Sequence, residues 1–402
     1  MNLEALVLDI DFNAVGILDS FKSFIWTDRY ASAGDFEIYT PASLEAIELL
    51  QTERYLYCNG TEHVMIIEGF KTDSDADDGK YLIITGRSLE SILDRRIIWK
   101  QTNIDGNLQN GVQKLLNENI ISPEDGQRRI SNFIFEESTD RRITKLKLTA
   151  QYTGDNLYEV ICKICADNNI GFKITLNNSN QFVFKLYVGE DRTYLQDKNT
   201  YVVFSSDFDN ILNSSYAESK KEYKNVTLIA GEGEGDERRT ISIGISSGMN
   251  RRELFTDARD ISSNDGDTKI SDEDYCNQLR QRGRENLDDY KISKLFEGEM
   301  DTHNMFIFDK DFYLGDIVQI KNEFGVEKQA RITEMIHSSS ATEVSDYPTF
   351  EIIGEDEEPP EIKVSNIKAN TDIVYEQIGD SKIYKATTGI KIGTDTTFSP
   401  IK

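Results

Sequence analysis

Four short stretches hold residue types that could do chemistry. The first is GEGEGD at 231–236, inside VTLIAGEGEGDERRT, which has the look of a glycine-rich phosphate cradle. A P-loop requires GxxxxGK[ST], and this stretch supplies neither the Lys nor the Ser or Thr. The dinucleotide pattern GxGxxG also fails, because Asp236 stands where the third glycine belongs. Glu232, Glu234, Asp236 and Glu237 would repel a pyrophosphate at close range. With NVTLIAG before it and TISIGIS after it, the stretch reads as an acidic hairpin, in which Gly231, Gly233 and Gly235 tolerate positive φ.

The second stretch, DSDADDG at 73–79, puts Asp73, Asp75 and Asp77 at positions one, three and five of a calcium loop. Position six is Asp78 where Gly is needed, and position twelve is Ile84 where a bidentate Glu is needed, so an acidic turn is expected. The third, GISSG at 244–248, matches GxSxG with Ser246 at its centre, and His303 and His337 follow downstream. A nucleophile elbow also demands a helix packed on a parallel sheet. Here the flanks read as antiparallel strands and MNRREL is a poor helix start. The fourth, CKIC at 162–165, lies inside a helical pattern with Cys165 on the apolar stripe. Cys58 and Cys276 are remote in sequence and no nearby His completes a zinc site, so buried structural thiols are expected. The chain has 3 His and no HExxH, and no carboxylate pair stands out for glycan cleavage. The reading is therefore of a non-enzyme, with no catalytic, cofactor-binding or metal residue assigned and no cofactor implied.

The elements that hold these stretches are mainly strands. Tyr 18 and Phe 20 against Pro 6 in 402 residues favour β structure, and the length suggests two to four domains. The formal charge of -26 argues against a nucleic-acid clamp, and the Arg doublets are scattered among acids. MNLEALVLDI has no basic start, and no apolar run approaches the roughly 20 residues of a membrane span. Cys 4 is too few for a disulfide framework, which fits synthesis in a cytoplasm.

The pattern divides the chain into four. Residues 1–100 alternate with period two and read as a first β-barrel or sandwich module. Residues 101–200 read as an α+β insertion, with one helix from about Leu108, a second from Asn156 to a glycine stop at Gly171, and strands GFKITL and QFVFKLYVG. Residues 201–354 read as a second β module with one long helix capped at Ser271. Residues 355–402 read as an acidic linker, EDEEPPE, and a polar extension that orders against another chain. Lys outnumber acids six to four beyond residue 361, so that tail carries +2 and the rest -28. Residues 55–86 and 316–354 share an order of elements (strand, turn, strand, polar loop, strand), which suggests a duplication. The fold class is mainly β with an α+β insertion between two similar modules.

SFIWTDRYASAGDFEIYTP, YKNVTLIAGEGEGDERR, SSGMNRRELFTDARDI and FDKDFYLGDIVQI, in this order, resemble the tail-hub or tail-tip proteins of long-tailed bacteriophages (siphophages), also described as tail-associated lysin-like. Leu314–Gly315–Asp316 ahead of an RITE strand, Arg331 to Glu334, carries most of the likeness, which spans about 1–354. The resemblance implies a structural homotrimer at the virion tail tip that closes the tube and adapts a sixfold tail to a threefold tip. It implies assembly in the host cytoplasm and contact with a distal tail protein ring, the tape measure protein and passing DNA without specific binding. A fibre or receptor-binding protein at the C-terminal extension would serve host attachment. The competing readings are a tail-borne cell-wall hydrolase and a host-glycan-binding module; the resemblance transfers no catalytic residue.

Overall fold

The computed structural model describes residues 4–353, except 60, 76–78, 236–237, 266–267, 301–305 and 341–343, together with 374–378, 381–386 and 389–393. The N-terminal strands are β1 (Ala5–Leu8), β2 (Ala14–Leu18), β3 (Ser23–Arg29), β4 (Asp35–Pro41), β5 (Tyr55–Cys58), β6 (Val64–Asp75) and β7 (Gly79–Ser88). The period-two reading holds: Phe36, Ile38 and Thr40 of β4 point inward while Glu37 faces solvent. Phe36 and Ile38 close with Trp26, Leu82 and Ile84 into one apolar core. A short helix between β4 and β5, α1 (Leu44–Leu49), was not foreseen. Ser43 starts it by accepting the Ala46 N–H at 3.0 Å.

The insertion comprises β8 (Thr102–Asn107), α2 (Leu108–Leu116), β9 (Phe133–Glu136), α3 (Arg141–Thr144), β10 (Lys147–Tyr152), α4 (Leu157–Asp167), β11 (Gly171–Leu176) and β12 (Phe182–Tyr187). β8 pairs with β10, and β12 lies between β11 and a parallel β9. Both expected helices begin where the pattern places them, with Asn107 and Asn156 as their N-caps. The stop of α4 differs from expectation. Asn169, at φ 55°, takes the left-handed position, and Gly171 instead gives room to Tyr30, whose ring would lie 2.4 Å from an added Cβ.

The remaining elements of this unit are β13 (Val203–Ser205), β14 (Ile211–Ser219), β15 (Val226–Ala230), β16 (Thr240–Ile243), β17 (Glu253–Asp257), β18 (Asn264–Asp265), β19 (Thr268–Lys269), α5 (Asp272–Asp288), β20 (Ser293–Met300), β21 (Ile317–Lys321), β22 (Glu327–Ser340) and β23 (Val344–Ile352). Ser271 caps α5 as read, accepting the Asp274 N–H at 3.0 Å. Tyr275 and Leu279 of α5 pack on Ile229 of β15 in a small separate core. The compact unit ends at Gly354, and Glu355–Lys402 form a second. The described strands of the second, β24 (Val374–Ile378), β25 (Ser381–Ala386) and β26 (Gly389–Gly393), pair as an antiparallel meander.

One 13-stranded sheet organises the first unit, in the order β14-β20-β23-β22-β3-β4-β7-β6-β5-β1-β2, with β21 also on β22 and β13 on β21. Two runs of the same design lie within it, β3-β4-β7-β6-β5 and β14-β20-β23-β22-β21. Their registers agree residue by residue. Tyr55 faces Ile66 and Ile317 faces Arg331; the long strand then bulges, between Ile67 and Gly69 in one run and between Ile332 and Glu334 in the other. Across the bulge Gly69 faces Thr85, as Glu334 faces Thr349. Next, Gly86 faces Phe36 and Phe350 faces Phe296, while Phe36 faces Trp26 and Phe296 faces Tyr216. Ile67 exchanges backbone bonds with Glu53 and Arg54, as Ile332 does with Gly315 and Asp316. Glu53 and Gly315 both have positive φ, 66° and 86°. Among the described residues no pairing closes either run into a barrel.

Candidate functional site

The structure keeps the four chemical stretches apart and uses each for architecture. GEGEGD joins β15 to β16 as an antiparallel hairpin. Gly233 and Gly235 have positive φ as expected, but Gly231 does not: a Cβ there would meet the Tyr275 hydroxyl at 2.3 Å. Of the 73–79 stretch, Asp73 and Asp75 lie in β6 and Gly79 opens β7, with Asp75 facing Gly79. Asp73 is 3.1 Å from Lys71; Asp77 and Asp78 lie outside the described residues. Ser246 follows β16 in a sheet that is mixed rather than antiparallel, since β15 also pairs in parallel with β17. Only the 3-10 turn Gly248–Asn250 follows it, not an elbow helix. His303 lies outside the described residues, and His337 is buried with Nδ1 2.6 Å from Asp346. In CKIC, burial pushes the Cys162 thiol up to about 12 and Cys165 well above its usual range, which suppresses thiolate chemistry. Among the described residues no three His, Cys, Asp or Glu gather to hold a metal ion.

What the structure does build is a joint of three parts around Tyr30, just after β3. The ring is buried; an added Cβ at either Gly171 or Gly315 would strike it, and Tyr187 meets it edge-on at 5.2 Å. Its hydroxyl donates to the Asn169 carbonyl at 3.1 Å, and its N–H donates to Thr333 in β22 at 2.9 Å. Arg331 lies over the ring at 5.4 Å and donates to the Gly315 carbonyl at 2.9 Å. Burial raises the phenol to about 12, so it stays neutral and serves as a donor.

The Leu314–Gly315–Asp316 motif is the other half of the joint. Gly315 accepts both the left-handed backbone and the Tyr30 ring, which no side chain permits. Asp316 is 1% exposed and accepts from Glu190 N–H at 2.6 Å, Arg192 Nε at 2.5 Å and Tyr313 N–H at 3.0 Å. A buried carboxylate with three donors is satisfied and holds the insertion to the C-terminal strands. Glu334 of the RITE strand pairs with Arg29 Nε at 2.6 Å, across the contact of β22 with β3.

A cleft of about 220 Å³ opens beside this joint, lined by Asp28, Glu62, His63, Lys173, Asp309 and Asp316 among others. Its charges are mostly engaged: Asp28 accepts from Trp26 Nε1 at 2.8 Å and Thr61 at 3.1 Å, and Lys173 pairs with Glu62. His63 Nδ1 is 3.5 Å from Glu90, whose carboxylate accepts the Ile174 N–H at 2.7 Å. Burial alone would lower the His63 pKa, but Asp28, Glu90 and Glu62 outweigh it and raise it to about 9. Burial, with Asp28 and Glu62 nearby, lifts Asp309 to about 6. Sequence reading missed this cluster, because its members come from β3, the β5–β6 loop, the turn Leu89–Arg95 and β11. Asp316 was legible only as part of a motif, without its partners.

The first unit is thus a long, largely antiparallel sheet with a helical insertion, held at a joint whose polar groups are structural. The chain belongs to the Siphovirus ReqiPepy6 Gp37-like protein family, whose profile matches residues 4–350. Its fold is similar to that of the tail protein from Neisseria meningitidis MC58, at 12% identity and TM-score 0.54, covering 88% of this chain and 98% of that one. It is also similar to the prophage MuSo2 43 kDa tail protein from Shewanella oneidensis, at 11% identity and TM-score 0.53, covering 87% and 98%. No curated protein matches the sequence.

Proposed function

We propose that the chain is a tail-tip hub whose three copies close the tail tube and adapt a sixfold tail to a threefold tip. The single observation that carries this is the agreement of the two five-strand runs in order, bulge and register. Two copies of one design per chain give a trimer six like modules, the number needed to face a sixfold ring. In this reading residues 1–100 and 201–354 supply the modules, 101–200 the insertion, and 355–402 a linker and extension toward a further tip protein. The ring partner is the distal tail protein, the tape measure protein ends against the hub, and DNA passes without sequence-specific contact. The formal charge of -26 supports passage without adhesion. Immunogold labelling of intact particles tests the reading: label at the tail tip is expected, and label on the capsid or along the tube overturns it.

A further inference from the structure

Each chain contains one finished joint between its modules and two strand edges shaped for a second. In the finished joint β3 lies antiparallel on the distal half of β22, from Arg29 opposite Glu334 to Ser23 opposite Ser340. By the matched registers β3 corresponds to β14 and β22 corresponds to β6. Yet among the described residues β14 is the terminal strand of the sheet, its backbone ladder made with β20 alone, and β5 covers β6 from Val64 to Ile66. From Gly69 to Asp75 the side of β6 away from β7 has no strand partner among the described residues. Residues on both edges, Phe70–Ser74 and Ala217–Ser219, are exposed. An open strand edge is a template for pairing with another chain.

We propose that β14 of one copy adds to the distal half of β6 of a second copy, antiparallel, with Ser219 opposite Gly69, Ala217 opposite Lys71 and Ser215 opposite Asp73. The inference rests on the hub reading and specifies its interface. The register is the one that the internal joint dictates, Glu334 and Arg29 being replaced by Gly69 and Ser219. It sets Phe70 against Glu218 and Thr72 against Tyr216, so no like charges face each other. The contact is heterologous, joining the second module of one copy to the first module of the next, and it generates a ring when the rotation closes. Three copies then hold three joints within chains and three between chains, all of one kind.

The hydrogen-bond phase follows from the same comparison. Tyr30 bonds Thr333, so positions alternate from there and Thr27–Ile336 is a non-hydrogen-bonded pair. Its counterpart is Ala217 with Lys71, where Cα atoms about 4.5 Å apart suit a disulfide. Glu218 corresponds to Asp28 and turns its N–H to the free edge. The test uses the full chain, purified and within particles, as Lys71→Cys with Ala217→Cys, and Thr72→Cys with Ala217→Cys as a control facing the opposite side. Native mass spectrometry and non-reducing gels are read together. A three-chain mass with a covalent ladder only in the first variant is expected. Glu218→Pro should keep the wild-type melting temperature and lose the three-chain species. A three-chain mass without the ladder, or with an equal ladder in the control, overturns the register and leaves the hub reading standing. A single-chain mass in both purified protein and particles overturns both.

Discussion

The buried His63–Glu90 pair gives the sharpest prediction about the junction. Glu90 is 1% exposed and does two jobs: it accepts the Ile174 N–H, tying β11 to the N-terminal module, and it balances the His63 imidazolium. Glu90→Gln keeps an acceptor for Ile174 and removes the charge. Because the folded pKa of His63 is raised to about 9 from 6.5, its contribution is complete below pH 6.5 and lost as pH rises through about 9. At about 1.4 kcal/mol per pKa unit this sets a ceiling of roughly 3 to 4 kcal/mol. Burial pulls Glu90 upward, but His63 holds its carboxyl below the ordinary value, so its own contribution is present above pH 4.5 and lost as pH falls. The two together give a plateau between about pH 5 and 6.5, with stability declining from there toward pH 9. In Glu90→Gln, Asp28 and Glu62 still face His63, but the charge and hydrogen bond of Glu90 are gone, so the His63 pKa falls toward its desolvated value and stability at pH 7 falls by roughly 2 kcal/mol. The difference from wild type should shrink above pH 9. The assay is equilibrium urea unfolding across pH, paired with NMR titration of the 3 His in the chain. A variant whose histidine titrations match wild type, or whose unfolding midpoint at pH 7 is unchanged, refutes the pairing argument.

Other expectations follow from single residues. Gly315→Ala should destabilise the unit by more than about 3 kcal/mol, through both a positive φ and the Tyr30 ring, measured by thermal unfolding. At the equivalent position Glu53→Gly relieves a left-handed strain in an exposed setting and should be neutral or stabilising by up to about 1 kcal/mol; a loss of melting temperature would contradict it. Burial raises Asp167 to about 7, so the folded unit loses stability as pH rises from about 4 to 7. Asp167→Asn should therefore melt higher than wild type at pH 8 and alike at pH 4. Calcium at millimolar concentration should leave the melting temperature unchanged, since the 73–79 turn lacks the glycine and the bidentate acid of a calcium loop.

Much of the architecture was legible because it is written in local periodicity. Phe36, Ile38 and Thr40 announce an inward face by alternation alone, and Asn107, Asn156 and Ser271 announce helix starts by their side-chain oxygens. The similarity of 55–86 and 316–354 was visible as an order of turns and strands. The six-residue α1 escaped, being too short for a 3.6-residue period to show. Glycine roles were legible only where the backbone demands them: Gly233 and Gly235 turn the chain, whereas Gly231 and Gly171 are small because Tyr275 and Tyr30 come from elsewhere.

By itself, then, the order of residues settles which segments are strands, which are helices, and that no familiar catalytic motif is complete. Tertiary structure alone decides that Tyr30, Gly171, Gly315 and Asp316 meet, and that β3 closes on β22 while β14 and distal β6 have no further strand partner among the described residues. The physical reason is range. Propensity and capping act within a few residues, whereas strand register and polar contacts join positions 305 residues apart, as Arg29 and Glu334 are.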